Sequence, residues 1–295
     1  MNKKYQYNDG DDIEDYILSV YKNNPSEQEI EEILVSNNTW AVQYHLSPDR
    51  KNLLSWYNFK EKASILEVGA GCGAVTGVFL EKGMDVTAVE LTKRRADIIR
   101  ERYKDNKNLK VYDGNIHEQK LTQKFDYVTL IGVLEYAGRF TKGEQPFQTM
   151  LEENKKFLKK GGEIVIAIEN KLGLKYWKGA PEDHVNRIFE SIEGYPNYDG
   201  IRTFSRKELK DLLESLGFQD IRFYYPIPDY KFCYEIFSDN YLPTEKNRIT
   251  PSLFPSPHPS ESYNLFNERY VAESLQDAGI FENFVNSFLV FARNG

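Results

Sequence analysis

Three glycines at alternate positions, Gly69, Gly71 and Gly73, follow Glu67 and the apolar pair Ile65-Leu66, and lead into Ala74-Val75-Thr76-Gly77-Val78-Phe79-Leu80. A chain that leaves a strand through glycines and enters a helix can bring bare backbone against a ligand, because glycine has no Cβ. The helix start adds free N–H groups and a positive dipole end. About twenty residues on, Val86-Thr87-Ala88-Val89 reads as a second strand ending in Glu90. A carboxylate there can accept both hydroxyl hydrogens of a ribose. The spacing predicts a nucleotide-binding turn. The glycines alone leave alternatives open: Gly69-x-Gly71-x-x-Ala74 also fits the looser dinucleotide fingerprint, and such a turn can merely link strand to helix.

Proton chemistry needs a histidine or a carboxylate. The chain has four histidines, His45, His117, His184 and His258. Asp183-His184 follows the fifth strand candidate, and parallel sheets build their sites beyond the carboxyl ends of strands. The pair is the first candidate for catalysis, against the alternative of a structurally bonded histidine. His45 reads as part of a lid, His117 as solvated, and His258 as lining an acceptor pocket. Glu135, Glu169, Asn170 and Arg202 are further polar candidates for substrate contact, Glu135 competing with a helix-capping role. Tyr176, Trp177, Tyr195 and Tyr198 could wall an apolar or sugar-stacking surface, though aromatics at this density also make core. Cys72 and Cys233 offer neither a disulfide framework nor metal-ligand spacing, and no His-x-x-His pattern exists, so no metal site is expected.

Composition narrows the function classes. In 295 residues, 40% are hydrophobic and 28% charged, as in ordinary globular proteins. The net charge of −7 and pI near 5.4 argue against a protein that grips nucleic acid through phosphates. The one basic run, Lys93-Arg94-Arg95, reads as a solvated helix face. Met1–Tyr5 is followed by acidic residues, so no signal peptide is expected, and no apolar stretch approaches the ~20 residues of a membrane span. A cytoplasmic protein with reduced thiols is the expectation.

Residues 1–60 read as a helical extension or lid. Ile13, Tyr16, Ile17, Val20 and Tyr21 share a face, and Ser26-Glu27-Gln28-Glu29 is a capping box. A third helix is expected through Leu53, Leu54 and Trp56. Residues 61–225 alternate strands (64–68, 86–90, 109–112, 125–130, 163–168, 221–225) with helices (74–81, 93–104, 147–158). That alternation predicts a parallel sheet covered on both faces. Ser205-Arg206-Lys207-Glu208 opens a further helix that stops at Gly217. Residues 226–285 turn rich in proline and aromatics and read as an ordered insertion on the acceptor side. The segment 286–295 reads as a final strand of the core sheet.

The order of these elements resembles the class I S-adenosylmethionine-dependent methyltransferases, over roughly residues 61–225 plus the final strand. Glu67-x-Gly69-x-Gly71-x-Gly73 matches that family's first motif, and Glu90 its ribose-binding acid. Tyr112-Asp113-Gly114-Asn115-Ile116 falls where the family contacts adenine. Phe125–Tyr136, Lys159-Lys160-Gly161-Gly162-Glu163 and Phe204–Phe218 match its later segments. The resemblance implies a Rossmann-like fold, with a seven-stranded, mostly parallel sheet whose last strand is antiparallel. It implies S-adenosylmethionine as cofactor and S-adenosylhomocysteine as product. Implied cofactor contacts are Glu67, Gly69, Ala70, Gly71, Gly73, Glu90, Leu91, Asn115, Ile116 and Gly132, with Tyr44 and His45 from the extension. Asn115 stands where many members have aspartate, with Asp113 as its competitor.

Ribosomal RNA adenine dimethylases share the glycine turn but need an Asn/Asp-Pro-Pro-Tyr-like motif after the fourth strand, where this chain has Ile131-Gly132-Val133-Leu134-Glu135. Tyr44-His45-Leu46-Ser47, Glu169-Asn170-Lys171, Pro181-Glu182-Asp183-His184 and Pro228-Asp229-Tyr230-Lys231 look like a bacterial group found near glycosyltransferases and polysaccharide biosynthesis. The expectation is in-line methyl transfer to a small molecule or sugar/glycan, with no nucleic acid partner and homodimerisation through the aromatics of the insertion as an option. The alternatives are an NAD(P)-dependent oxidoreductase and an inactive cofactor-binding regulatory module.

Overall fold

A computed structural model describes residues 10–253 and 263–295, so His258 and the prolines around it lie outside the described residues. The chain divides into two compact units, Met1–Thr129 and Leu130–Gly295.

The first unit opens with helices α1 (Asp11–Lys22), α2 (Glu27–Ser36), α3 (Trp40–Leu46) and α4 (Asn52–Ser55). The expected capping box on α2 forms: Ser26 Oγ accepts from Glu29 N–H, and Glu29 reaches back to Ser26 N–H. Then β1 (Ser64–Val68), α5 (Thr76–Glu81), β2 (Asp85–Glu90), α6 (Lys93–Arg102) and β3 (Leu109–Asp113) alternate. β1 and β2 pair in parallel with Val68 opposite Val89, and β2 and β3 with Glu90 opposite Asp113. This register ends the three strands at one edge, where the glycines, Glu90 and Gly114-Asn115 emerge. The helical extension is built into this unit. Ile17, Tyr21, Val42 and Leu46 share a core with Cys72 of the glycine turn and Ile98 of α6. Beneath it, Arg95 Nε donates to Glu14 Oε1 at 2.6 Å in a buried pair.

β4 (Phe125–Ile131) runs from the first unit into the second. The second unit continues with α7 (Ala137–Phe140), α8 (Pro146–Lys155), β5 (Leu158–Glu169), α9 (Leu174–Lys178), α10 (Arg206–Ser215), β6 (Phe218–Pro228), β7 (Cys233–Ser238), α11 (Glu268–Asp277) and β8 (Ser287–Asn294). β8 lies antiparallel between β5 and β6, pairing Ile166 with Val290 on one side and Phe223 with Val290 on the other. The strand order is β3-β2-β1-β4-β5-β8-β6-β7.

The Rossmann-like fold and the antiparallel last strand are as expected. The strand count is corrected from seven to eight. β7 pairs antiparallel with β6 from within the proline- and aromatic-rich segment, setting Phe237 against Tyr225. It buries Cys233 and Phe237 and exposes Tyr234, a partial period-two signal that the surrounding prolines mask. β5 also starts earlier than expected and absorbs Lys159-Lys160-Gly161-Gly162. Among the described residues no helix is long and apolar enough to cross a membrane.

Candidate functional site

In the first unit, β1 ends at Val68 and the chain turns through three left-handed glycines, Gly69 (φ +70°), Gly71 (+58°) and Gly73 (+80°). Each would cost an L-residue roughly 1–2 kcal/mol in backbone strain. Glu90, the last residue of β2, fastens the turn. Its Oε2 accepts from Gly71 N–H at 2.9 Å and its Oε1 from Thr92 N–H at 3.0 Å. A carboxylate has lone pairs for about four donors, so Glu90 keeps acceptor capacity. Burial raises its pKa, opposed by the Arg95 charge. A Cβ on Gly71 would meet nothing within 4 Å, whereas one on Gly73 would press Tyr103 at 3.1 Å. Open space at Gly71 beside an unsaturated carboxylate is a cradle that fits an adenosyl nucleotide.

Glu67 lies behind the turn and accepts from Thr76 Oγ1 at 2.6 Å. Burial pushes its carboxyl up to about 8, with the Thr76 hydroxyl opposing and Glu90 adding to the rise. At the end of β3, Asn115 and Ile116 are buried, and Asn115 Oδ1 accepts from His117 N–H at 3.1 Å. The competing Asp113 is half-exposed and pairs with Arg100 at 2.8 Å. Leu91 is half-buried after Glu90. Tyr44 and His45 belong to α3, where Arg50 stacks over the Tyr44 ring at 4.1 Å. Arg102 donates to the carbonyls of His45 and Cys72 at 2.9 and 3.2 Å, tying α3 to the back of the glycine turn.

The second unit holds a buried cluster of charge. Glu135 sits just past β4 in a single 3₁₀ turn, Glu169 is the last residue of β5, and His184 lies in the loop after α9. His184 Nε2 is 3.5 Å from Glu135 Oε1 and 3.6 Å from Glu169 Oε2. On its other side, His184 Nδ1 lies 2.9 Å from Glu182 Oε1. Glu182 is held in turn by the N–H groups of His184 and Val185 and by the Tyr195 hydroxyl. Burial alone would lower the His184 pKa, but the Glu169 charge and bonds to Glu135 and Glu182 raise it well above the usual range. Burial raises Glu169, opposed by Lys231 and His184.

Asp183 does not point with its neighbour. It accepts from Lys175 Nζ at 3.0 Å, from the Tyr176 hydroxyl at 3.2 Å and from Lys231 Nζ. Lys231 Nζ also reaches Glu169 Oε1, and Lys175 reaches Asp229 Oδ2 at 3.1 Å. Burial would lower both lysines, but the facing carboxylates hold them above their usual value.

The structure thus brings together Glu135, Glu169 and His184, with Asp183 one step behind. Gly132 (φ +67°) borders this group: an added Cβ would lie 2.8 Å from the Tyr230 hydroxyl and 3.6 Å from Glu135 Oε1. Arg202 follows at the rim, its N–H donating to the Glu135 carbonyl at 3.1 Å and its guanidinium stacked on Phe204 at 4.6 Å. Asn170 turns away. Its amide donates to the carbonyls of Asn283 and Val285 and accepts from Leu172 N–H, so it fastens loops. Lys175, Glu182 and Lys231 were not singled out from sequence, and Tyr195, read there as part of an aromatic wall, instead bonds Glu182 through its hydroxyl. The runs Pro181-Glu182-Asp183-His184 and Pro228-Asp229-Tyr230-Lys231 contain two of them and were the available signal.

Comparison with known proteins agrees with the fold. A family profile described as "Methyltransferase domain" matches residues 41–222, more than half of the chain. Ribosomal RNA small subunit methyltransferase A of Syntrophus aciditrophicus (strain SB) is 30% identical over 82 residues, 28% of this chain and 27% of that protein. The protein of the same name from Borrelia garinii subsp. bavariensis is 25% identical over 134 residues, 45% of this chain and 44% of that one. The chain therefore spans less than half the length of these curated relatives. A chain from the Haloferax volcanii complex containing the Trm112 methyltransferase activator superposes with a TM-score of 0.50 at 13% identity, over 94% of this chain and 97% of that one. The glycine turn and the acid at the end of β2 lie within the matched residues, and the profile match places the chain in the methyltransferase-domain family of Rossmann-like, S-adenosylmethionine-dependent enzymes.

Proposed function

We propose that this protein transfers a methyl group from S-adenosylmethionine to an oxygen or nitrogen of a small molecule or a sugar/glycan. The observation that carries the acceptor side is the buried Glu135–Glu169–His184 group beyond the carboxyl ends of β4 and β5. Hydroxyl-rich acceptors need several fixed acceptors and a place for the departing proton. Tyr136, edge-on to His184 with ring centroids 5.3 Å apart, adds an apolar wall.

The donor, when bound, supplies a methyl group already activated on a sulfonium sulfur. Gly69, Ala70, Gly71 and Gly73 would hold it with bare backbone, Glu90 would take the ribose hydroxyls, and Leu91, Asn115 and Ile116 the adenine. Glu67, Tyr44 and His45 support that turn from behind, and Gly132 is retained as a donor contact on the family resemblance. On the acceptor side, His184 and Asp183 are the catalytic candidates: His184, held charged by its carboxylates, would orient the acceptor beside Glu169, which would take the proton, and Asp183 would position Lys231 against Glu169. Arg202 would meet a polar substituent at the rim. His258 is carried as a substrate contact from sequence alone.

The first test is calorimetry with S-adenosylmethionine, S-adenosylhomocysteine and NAD in parallel. Micromolar binding of the two sulfur nucleosides and none of NAD is expected, followed by product formation with a glycan or nucleotide-sugar acceptor. Gly71→Ala should melt within about 1–2 kcal/mol of wild type, since its Cβ has room, yet bind the nucleosides at least tenfold more weakly. Binding of NAD alone would overturn the reading. Nucleoside binding without turnover on any acceptor would favour the regulatory module.

A further inference from the structure

We propose that Glu135, Glu169 and His184 form a binding site for a divalent transition-metal ion of the manganese or zinc class, one ion per chain. The three residues come from separate elements, the turn after β4, the end of β5 and the loop after α9, and each offers one ligand atom within 4.8 Å of the others. Two ligands about 2.1 Å from a metal, at a tetrahedral angle, lie about 3.4 Å apart. The separations of 3.5 and 3.6 Å from His184 Nε2 to Glu135 Oε1 and Glu169 Oε2 match that edge.

Two unmet acceptors point to a missing cation. Glu135 Oε2 and Glu169 Oε2 are buried with no hydrogen-bond partner, in residues only 1% and 0% exposed. An unpartnered carboxylate oxygen in such a place is costly, and Glu169 Oε2 is the atom that faces His184. The surroundings leave the charge unbalanced. Among the described residues, five carboxylates, Glu135, Glu169, Glu182, Asp183 and Asp229, meet two lysines, Lys175 and Lys231, and the His184 ring, so carboxylates outnumber cations even with the imidazole protonated.

The outer groups are arranged as metal sites require. A ligating histidine usually gives its second nitrogen to a carboxylate, which turns the first toward the metal. Glu182 does so here, itself fixed by two backbone N–H groups and Tyr195. Lys231 holds the far oxygen of Glu169. One imidazole and two carboxylates without a thiolate suit manganese, iron or zinc better than the all-oxygen preference of magnesium or calcium. The bound ion would retain open positions for water or an acceptor oxygen and would lower the pKa of either. That role deepens the methyl-transfer reading and rests on it; the existence of the site does not.

The test uses the full chain, stripped with chelator and titrated with MnCl2, read by loss of the free-ion electron paramagnetic resonance signal, and with ZnCl2 by calorimetry. One ion per chain at micromolar affinity or tighter is expected, with MgCl2 at least tenfold weaker. Glu135→Gln and His184→Ala should each weaken binding tenfold or more, while Glu214→Gln on exposed α10 should bind as wild type. Electron spin-echo modulation from a nitrogen nucleus should appear with bound Mn2+ in wild type and vanish in His184→Ala. No binding by wild type up to millimolar metal overturns the site, whatever the variants do. Stoichiometric binding unchanged in both Glu135→Gln and His184→Ala overturns it equally. Methyl transfer, measured separately with and without metal, decides only the role.

Discussion

Glu67 is a residue whose chemistry departs from its sequence appearance. The motif marks it as an acid beside a nucleotide turn, but burial holds its carboxyl at about 8 against an ordinary 4.5. The folded state thus keeps a proton that the unfolded chain gives up. Stability from this group is complete below about pH 4.5 and is lost as pH rises through about 8. Glu67→Gln is neutral throughout and should remove that slope. Denaturant unfolding of both proteins between about pH 5 and about pH 9 should diverge by a few kcal/mol as an order of magnitude, the variant being the more stable at the alkaline end. Parallel profiles would mean that Glu67 is ionised in the fold. At this scale the glycine turn and its brace were legible, because Gly69-x-Gly71-x-Gly73 and Glu90 lie close in sequence and Glu90 accepts from the Gly71 N–H. The buried cluster was legible only as separate names. Glu135, Glu169 and His184 could each be flagged, but only folding brings residues from three elements within 4.8 Å, and nothing in spacing announces Lys231 as a partner of Glu169.

The elements read from sequence were those with local punctuation. Ser205 and Glu208 form the reciprocal box that starts α10, with Ser205 Oγ taking Glu208 N–H and Glu208 reaching back to Ser205 N–H. Such a cap fixes a boundary without help from the rest of the chain. Ser205→Ala should cost about 1 kcal/mol, seen as a lower denaturation midpoint with an unchanged m-value. A null effect would mean that packing of Leu209 and Leu213 alone holds the helix, since both are fully buried. The missed elements lack such signals. α9 has five residues, too short for a periodic pattern, and ends at a left-handed Gly179. α11 is the exception: it carries a cap, Asn267 Oδ1 accepting from Arg269 N–H at 3.1 Å, and was overlooked within the proline-rich stretch, where a buried pair of Lys178 Nζ with Glu268 Oε2 at 2.9 Å also holds it. β7 hides among prolines and aromatics that read as an ordered insertion with no strand assigned in it.

At the scale of the molecule, charge is the property most open to test. A net charge of −7 disfavours any partner held by phosphate contacts. The curated relatives carry ribosomal RNA in their names, yet match less than half of this chain. A labelled RNA duplex at about 150 mM salt should show no anisotropy change with micromolar protein. Saturable submicromolar binding would move the acceptor to nucleic acid. The alternation of strands and helices made the Rossmann-like class readable, while the division at Thr129 had no compositional mark, because it falls inside β4.

The place of β8 has a consequence for how the protein is made. Ser287–Asn294 pairs with β5 on one side and β6 on the other, although both are synthesised long before it. While ribosomes are still adding the segment after β7, the nascent second unit displays two open strand edges facing a gap of one strand's width. Such edges template wrong pairing. The first unit can fold as it emerges, whereas the second must wait for its central strand. Chains whose translation stops short of Ser287 are therefore expected to be the aggregating species, and chaperone demand should fall on that interval.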